Sequence, residues 1–189
     1  MPRKVTPADR FRKGLMEAAG AASLDFSGYC QRAAQAELKE QITRVPLLTR
    51  ADVENTLAAS DAPIRGDTPK YVGLSLGQRT FDSIGSWTGT ADTIAWTCRA
   101  VDPATFKVVV SYAADPTSVS NRYAVSVGGE QVTATVEATG GPDSFRSFII
   151  GTASVTAAGE VFVTVKPLAI AAGSKLMEHN AVRLVPVNK

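Results

Sequence analysis

The feature that most constrains this chain is a change of hydrophobic period near residue 60. Beyond that point apolar residues recur at every second position, as at positions 106, 108, 110 and 112 of Phe106–Tyr112. Side chains two apart share one face of a β-strand, so such runs predict strands with one buried face. The same period recurs in Tyr123–Val127, Val132–Val136 and Val161–Val165. Gly128-Gly129 predicts a tight hairpin between two of these strands.

The first sixty residues carry a helical period instead. Apolar side chains recur three and four positions apart in two stretches, Phe11–Ala22 and Phe26–Leu38. A third, short helix is predicted from Thr49 to about Ala59. The turn residues Ser60–Pro63 then mark a boundary. The predicted fold is therefore mainly β: an antiparallel β-sandwich or jelly roll over residues 61–189, preceded by a small α-helical segment over residues 1–60.

Composition is that of a globular protein, since 44% hydrophobic and 20% charged residues exclude a disordered chain. No apolar run approaches the length of a membrane-spanning helix, so membrane insertion is not expected. The start of the sequence lacks the apolar core of a secretory signal, which predicts a cytoplasmic chain as written. A chain that continues upstream would instead fit an extracellular or periplasmic location. Cys30 and Cys98 are expected to be buried free thiols, with a single disulfide as the alternative.

Catalytic chemistry has little support in the sequence. His179 is the only histidine, and no nucleophile elbow, phosphate-binding loop or dinucleotide fingerprint occurs. Carboxylates are present, but none lies in a segment that predicts burial with a raised pKa. His179 lies between Glu178 and Asn180, which favours an exposed polar turn. We therefore expect no enzymatic activity and no catalytic cofactor.

Binding has better support, because flat aromatic rings pack against the C–H faces of sugars while amides and carboxylates bind the hydroxyl groups. Trp87 follows a Gly-Ser pair at a predicted strand end, where it either packs in the core or forms a ligand platform. Trp96 lies inside an alternating strand and is predicted to be core. Asp143 and Phe145 lie in a Gly-Pro-rich loop that either forms one rim of a site or is a plain surface turn.

Eight short motifs follow one another in a fixed order: Gly66–Tyr71, Ile84–Trp87, Trp96, Phe106–Ala113, Thr139–Pro142, Gly151-Thr152, Lys166-Pro167 and Leu176–Pro186. In this order they resemble the β-sandwich accessory domains attached to bacterial α-L-fucosidases and sulfatases, which share a galactose-binding-like jelly roll. More distantly, they resemble carbohydrate-binding modules. The likeness covers residues 61–187.

This resemblance implies a non-catalytic module that binds a glycan or a glycosylated surface, alongside a larger enzyme partner. Trp87 matches the first sugar-binding aromatic of such modules, and Glu178 or Asn180 matches a polar residue near their last strand. Pro142 stands where their second aromatic would be, which argues against tight binding. The resemblance also implies a structural calcium ion, with Asp61 and Asp67 as candidate ligands.

The N-terminal segment has a weaker resemblance. Leu15–Gly20 followed by Asp25–Ala34 resembles the two helices of ribbon-helix-helix proteins, in which the DNA contacts would come from Arg3, Lys4 and Thr6. Residues 1–50 carry nine Lys/Arg against five Asp/Glu, a modest excess that makes nucleic acid the weaker prediction. Helices that dock or form a homo-oligomer are favoured. Three hypotheses remain: a carbohydrate-binding module with a helical docking or oligomerisation segment, a structural or assembly protein, and a ribbon-helix-helix DNA-binding regulator.

Overall fold

The computed structural model describes residues 47–76 and 79–187, which form a β-sandwich of two six-stranded sheets. The chain divides after Arg44, and the sandwich belongs to the unit that begins at Val45. Sheet A has the order β1 (Leu47–Thr49), β6 (Thr93–Ala100), β11 (Gly159–Ala169), β8 (Arg122–Val127) and β9 (Glu130–Thr135), with β3 (Ile64–Arg65) also paired to β6. Sheet B has the order β10 (Gly141–Val155), β7 (Ala104–Ala114), β12 (Glu178–Pro186), β5 (Arg79–Gly85) and β4 (Lys70–Leu76), with β2 (Asn55–Ala58) also paired to β12. Among these residues every strand pair is antiparallel except β1 with β6.

The two-residue period places the core between the sheets. From β7, the four predicted inward side chains are at most 1% exposed: Phe106, Val108, Val110 and Tyr112. Strand β6 faces them with Ile94, Trp96 and Cys98, also buried. Each large apolar side chain buried in this way contributes about 1.5–3 kcal/mol. The predicted mainly-β sandwich is confirmed, and so is the core position of Trp96. Cys30 lies outside the described residues, so the state of the two cysteines stays a prediction.

The predicted third helix is wrong. Residues 47–49 and 55–58 are strands β1 and β2, and Leu57 of β2 is buried opposite Val182 of β12. A turn between the two strands is held by Asn55, which accepts a hydrogen bond from the backbone N–H of Arg50 and donates to its carbonyl, both at 2.8 Å. Pairing with the sheets overrides the local helix signal, because it buries an apolar side chain that an isolated short helix would leave exposed.

Helical structure in the described part of the chain is limited to two short 3-10 turns, Ala59–Asp61 and Pro116–Ser118. The two longer helices predicted near the N-terminus lie outside the described residues, so the helical segment stays a prediction. No helix of the described part is long and apolar enough to span a membrane.

Two loops of the sandwich are joined by the carboxylate of Asp92, which is 6% exposed. It accepts hydrogen bonds from the Thr68 hydroxyl and from the backbone N–H of Asp67. The Thr68 oxygen accepts in turn from the N–H groups of Thr88 and Gly89, at 3.0 and 3.1 Å. One buried carboxylate therefore organises both loops, and we call this arrangement the Asp92 clasp.

The Asp92 clasp predicts that substitution of Asp92 strongly lowers the free energy of unfolding, although Asp92 is not an apolar core residue. Asp92→Ala should lower the free energy of unfolding by about 2–3 kcal/mol, because it leaves the Thr68 hydroxyl and a backbone N–H without their charged acceptor. Urea unfolding followed by tryptophan fluorescence measures it. Asp102→Ala is the matched control, since Asp102 is an exposed carboxylate and should stay within about 0.5 kcal/mol. Equal effects of the two substitutions would contradict the clasp.

Candidate functional site

Four strand ends meet at one end of the sandwich. Strand β7 ends where β10 and β12 begin, since Ala114 pairs with Gly141 and Ala113 pairs with Glu178. Strand β5 ends beside them, because its Ile84 pairs with the second residue of β12. The loops that leave these ends enclose a cleft of about 140 Å³. It is lined by Asp115, Thr117, Ser118, Pro142, Gly173, Lys175, Met177 and Glu178.

Glu178 is the half-buried acid of this cleft. Its carboxyl group packs directly on Gly85 at the end of β5, where the Cβ of any other residue would overlap it. Burial raises the pKa of the Glu178 carboxyl, and the charge of Lys175 and the donors of Ser83 and Ser86 oppose this increase only in part. A carboxyl group held where desolvation disfavours its charge is typical of binding and catalytic sites.

Asp115 and Lys175 add two further charges to the lining. Asp115 is exposed and accepts hydrogen bonds from the N–H of Thr117 at 2.9 Å and from its hydroxyl at 2.7 Å. These bonds lower the pKa of Asp115, with a smaller contribution from the charge of Lys175. Lys175 thus acts electrostatically on both Asp115 and Glu178. Asp143 lies near the start of strand β10 and not in a loop as the sequence suggested, and its negative charge raises the pKa of Glu178 further.

Two buried polar side chains hold the loops of the cleft in place. Asn121, 2% exposed, donates to the Lys175 carbonyl at 2.8 Å and accepts from the N–H of Ala171 at 2.8 Å. Thr139 joins the end of β7 to the start of β10, since its hydroxyl accepts from Ala114 N–H at 2.9 Å and donates to the Gly141 carbonyl at 3.0 Å. The burial of these two side chains could not be predicted, because a polar residue in a turn region carries no local signal of burial.

The predicted site residues divide between the cleft and the rest of the fold. Glu178 lines the cleft, and Asp143 is close enough to act on its charge. Phe145 and Asn180 are half-buried and are not part of the lining. Pro142, identified as the residue that replaces a second aromatic, does line the cleft.

The ligand-platform interpretation of Trp87 is wrong for this structure, because its side chain is 0% exposed. The chain turns inward after Gly85 through Ser86, whose φ is +58°. The carbonyl of Trp87 accepts a hydrogen bond from the N–H of Leu176 at 2.7 Å, which holds this segment in the fold. The indole therefore packs in the core, which was the alternative interpretation of the sequence.

The predicted exposure of His179 is also wrong. His179 is 0% exposed and packs against Trp96, with 5.9 Å between the two ring centroids. It follows Glu178 on β12, and neighbouring side chains of a strand point to opposite faces, so Glu178 reaches the cleft while His179 enters the core. Neither ring nitrogen has a hydrogen-bond partner among the described residues. A general-base role for this histidine is therefore excluded by its burial.

A second depression, of about 620 Å³, lies at the opposite end of the sandwich, where β7 begins and β12 ends. Its charges include Arg50 and Asp52, which pair with each other at 3.0 Å and are both more than half exposed. It is the larger of the two, but its charged side chains remain hydrated or paired. The smaller cleft is the better candidate, because it holds a desolvated carboxyl group.

The metal and DNA predictions find no direct support in the structure. Asp67 is exposed, Asp61 accepts from the neighbouring Ser60 hydroxyl at 3.4 Å, and within residues 47–76 and 79–187 no three His, Cys, Asp or Glu side chains are grouped so as to hold a metal ion. Structural calcium at Asp61 and Asp67 stays a prediction. The candidate DNA contacts, Arg3, Lys4 and Thr6, lie outside the described residues.

The sandwich is similar to solved structures of several proteins. A family 35 carbohydrate-binding module from Clostridium thermocellum matches with a TM-score of 0.56 and 16% identity, over 69% of this chain and 96% of that one. A β-1,3-glucan-binding family 6 module from Bacillus halodurans matches with a TM-score of 0.54 and 17% identity, over 73% of this chain and 98% of that one. The mosquito-larvicidal Cry4Aa toxin from Bacillus thuringiensis gives a TM-score of 0.61 at 12% identity, over 76% of this chain but only 25% of the toxin.

These similarities establish the fold. The β-sandwich of carbohydrate-binding modules, expected from the ordered motifs, is confirmed as the architecture of the described residues. At 12–17% identity the similarity shows the fold alone. No protein-family model and no curated protein sequence matches the chain. The expected attachment to a fucosidase or sulfatase stays a prediction.

Proposed function

We propose that this protein is a non-catalytic carbohydrate-binding module whose ligand occupies the cleft lined by Asp115, Lys175 and Glu178. The observation that carries the proposal is the half-buried carboxyl of Glu178, kept in an open cleft at the loop end of the sandwich. A sugar hydroxyl donates to a carboxylate and accepts from an ammonium group, so this set of side chains suits adjacent hydroxyl groups. Association with a larger enzyme, as the ordered motifs imply, is part of the proposal.

The cleft lacks an aromatic platform, which bears on the strength of binding. None of its lining residues is Phe, Tyr or Trp, so the stacking that supplies much of the affinity for a sugar ring is missing. Hydrogen bonds to exposed polar groups replace bonds to water and contribute little net free energy. We therefore expect weak binding, with dissociation constants in the roughly millimolar range.

Glu178→Gln is the decisive test. The change keeps the shape of the side chain and removes the charged acceptor, so we expect the affinity to fall about tenfold or more. The free energy of unfolding should not fall with the affinity. Burial raises the folded-state pKa of Glu178, so its ionisation lowers the stability of the wild type as pH rises through that pKa. At pH 7 the variant should therefore be as stable as the wild type or more stable. Titration calorimetry and thermal unfolding measure the two effects.

The combination separates a binding residue from a structural one. Glu160→Gln is the matched control, because Glu160 is an exposed carboxylate on β11 of sheet A and should change neither quantity. Loss of stability in Glu178→Gln without loss of binding would contradict the proposed role. Absence of ligand binding by the wild type across a broad glycan panel, with and without calcium, would overturn the function itself.

A hydrolase is the class that this cleft must be tested against. The pKa of Glu178 is raised and that of Asp115 is lowered, and carboxyl pairs with separated pKa values serve as acid and nucleophile in glycosidases. The same panel of glycans, incubated with the protein and examined for reducing ends, distinguishes the two. Release of reducing ends that is lost in Glu178→Gln would replace the binding module with an enzyme.

A further inference from the structure

The charges around the cleft are unequal in number. Asp115 and Glu178 line it, and Asp143 lies near enough to affect the pKa of Glu178. Lys175 is the cation of the lining, and its charge acts on both Asp115 and Glu178. The lining therefore sets one ammonium group against two carboxyl groups. The cleft therefore presents surplus negative charge and surplus hydrogen-bond acceptors.

The size of the cleft restricts what it can hold. Its volume of about 140 Å³ is well below the roughly 300–1,000 Å³ of sites that enclose drug-sized ligands. Such a space takes about one sugar ring, so the substituents of a single residue decide the fit. Under the proposed function, that residue must donate hydrogen bonds to Asp115 and to Glu178, whose ionised form burial and the charge of Asp143 disfavour.

We propose that this cleft selects its sugar by charge: it binds a 2-amino sugar with a free ammonium group more tightly than the neutral parent sugar, and the neutral sugar more tightly than the corresponding uronic acid. The inference rests on the proposed carbohydrate-binding function and specifies its ligand class. An ammonium group donates to Asp115 or Glu178 and compensates their charge, whereas the carboxylate of a uronic acid meets like charges that Lys175 does not offset.

The test is an NMR titration of the full chain, labelled with ¹⁵N, with glucosamine, glucose and glucuronate at pH 6.5 and low salt. We expect the amide signals of Lys175, Met177 and Glu178 to shift, with affinities that fall about tenfold at each step of that order. Higher salt should reduce both differences in affinity, because mobile ions screen the charges of an open cleft. In Asp115→Asn with Glu178→Gln the order should largely disappear, whereas Glu160→Gln should preserve it.

Each outcome has a distinct meaning. Equal binding of the three sugars at the cleft, or tighter binding of glucuronate, would overturn selection by charge and leave the carbohydrate-binding function standing. No shift of cleft amides with any sugar of the panel would overturn both. Ethanolamine, which carries an ammonium and a hydroxyl group without a ring, is the last control. Shifts and affinity equal to those of glucosamine would show plain cation binding and overturn the proposal.

Discussion

Acidification from pH 6.5 to pH 5 is expected to destabilise this protein steeply through one core side chain. Burial lowers the pKa of His179 to about 3, while an unfolded histidine titrates near 6.5. Below pH 6.5 the His179 imidazole binds a proton in the unfolded chain but not in the folded chain, so the free energy of unfolding falls as pH falls toward 3. The slope approaches about 1.4 kcal/mol per pH unit for one such group. Urea unfolding at half-unit intervals of pH measures it.

His179→Leu isolates this effect. The substitution removes two buried nitrogens that have no partner within the described residues, so it should be neutral or stabilising at pH 7 and should flatten the pH dependence between 6.5 and 5. Glu178 contributes with the opposite sign, because its raised pKa adds stability as pH falls through it. The comparison is therefore repeated in the Glu178→Gln background. An unchanged slope in His179→Leu would assign the acid sensitivity to other groups.

Trp87→Ala is expected to cost about 3–5 kcal/mol of folding free energy, the usual range for removing a fully buried aromatic side chain. That loss is a large fraction of the roughly 5–15 kcal/mol of a typical domain, so the unfolded population should rise by orders of magnitude. The cost arises because Trp87 is 0% exposed, so truncation leaves a cavity in a close-packed core. Denaturant unfolding gives the free energy, and ligand titration of the folded fraction gives the affinity.

Two further variants make this result interpretable. Trp87→Phe keeps most of the packing and removes an indole nitrogen that has no partner in the described part of the chain, so its cost should be markedly smaller. Phe162→Ala is the surface control, since Phe162 is 53% exposed and its loss should matter little. A Trp87→Ala variant of normal stability that no longer binds sugar would restore the platform interpretation and contradict the core position.

The sandwich was predictable because the alternation of apolar residues within each strand indicates which of its faces is buried. The alternation in Phe106–Tyr112 indicates which side chains face inward, and the structure buries those side chains. The strand Asn55–Ala58 was mistaken for a helix, because its stability comes from pairing with β12 at the other end of the sequence. A local pattern cannot report a partner more than a hundred residues away.

The site was predictable only in part, for a related reason. Glu178 was identified by a resemblance of motif order and Asp143 by its place in a Gly-Pro-rich segment, but Asp115 and Lys175 were not identified. Those two reach the cleft only when three loops converge, and nothing in their own segments indicates it. Trp87 and His179 show the limit of judging exposure from neighbours in sequence. A polar or glycine-rich context predicts a surface turn. Whether the side chain enters the core depends instead on the backbone conformation at the end of the strand.

Strand β12 begins at the cleft with Glu178 and runs nine residues to Pro186, a distance of about 30 Å. Val187 therefore lies at the end of the sandwich opposite the cleft. A biotin or hexahistidine tag placed after the C-terminus would anchor the molecule to a sensor surface with its cleft directed into solution. Measurements of weak glycan binding on immobilised protein can thus be made at high surface density without the attachment itself blocking the site.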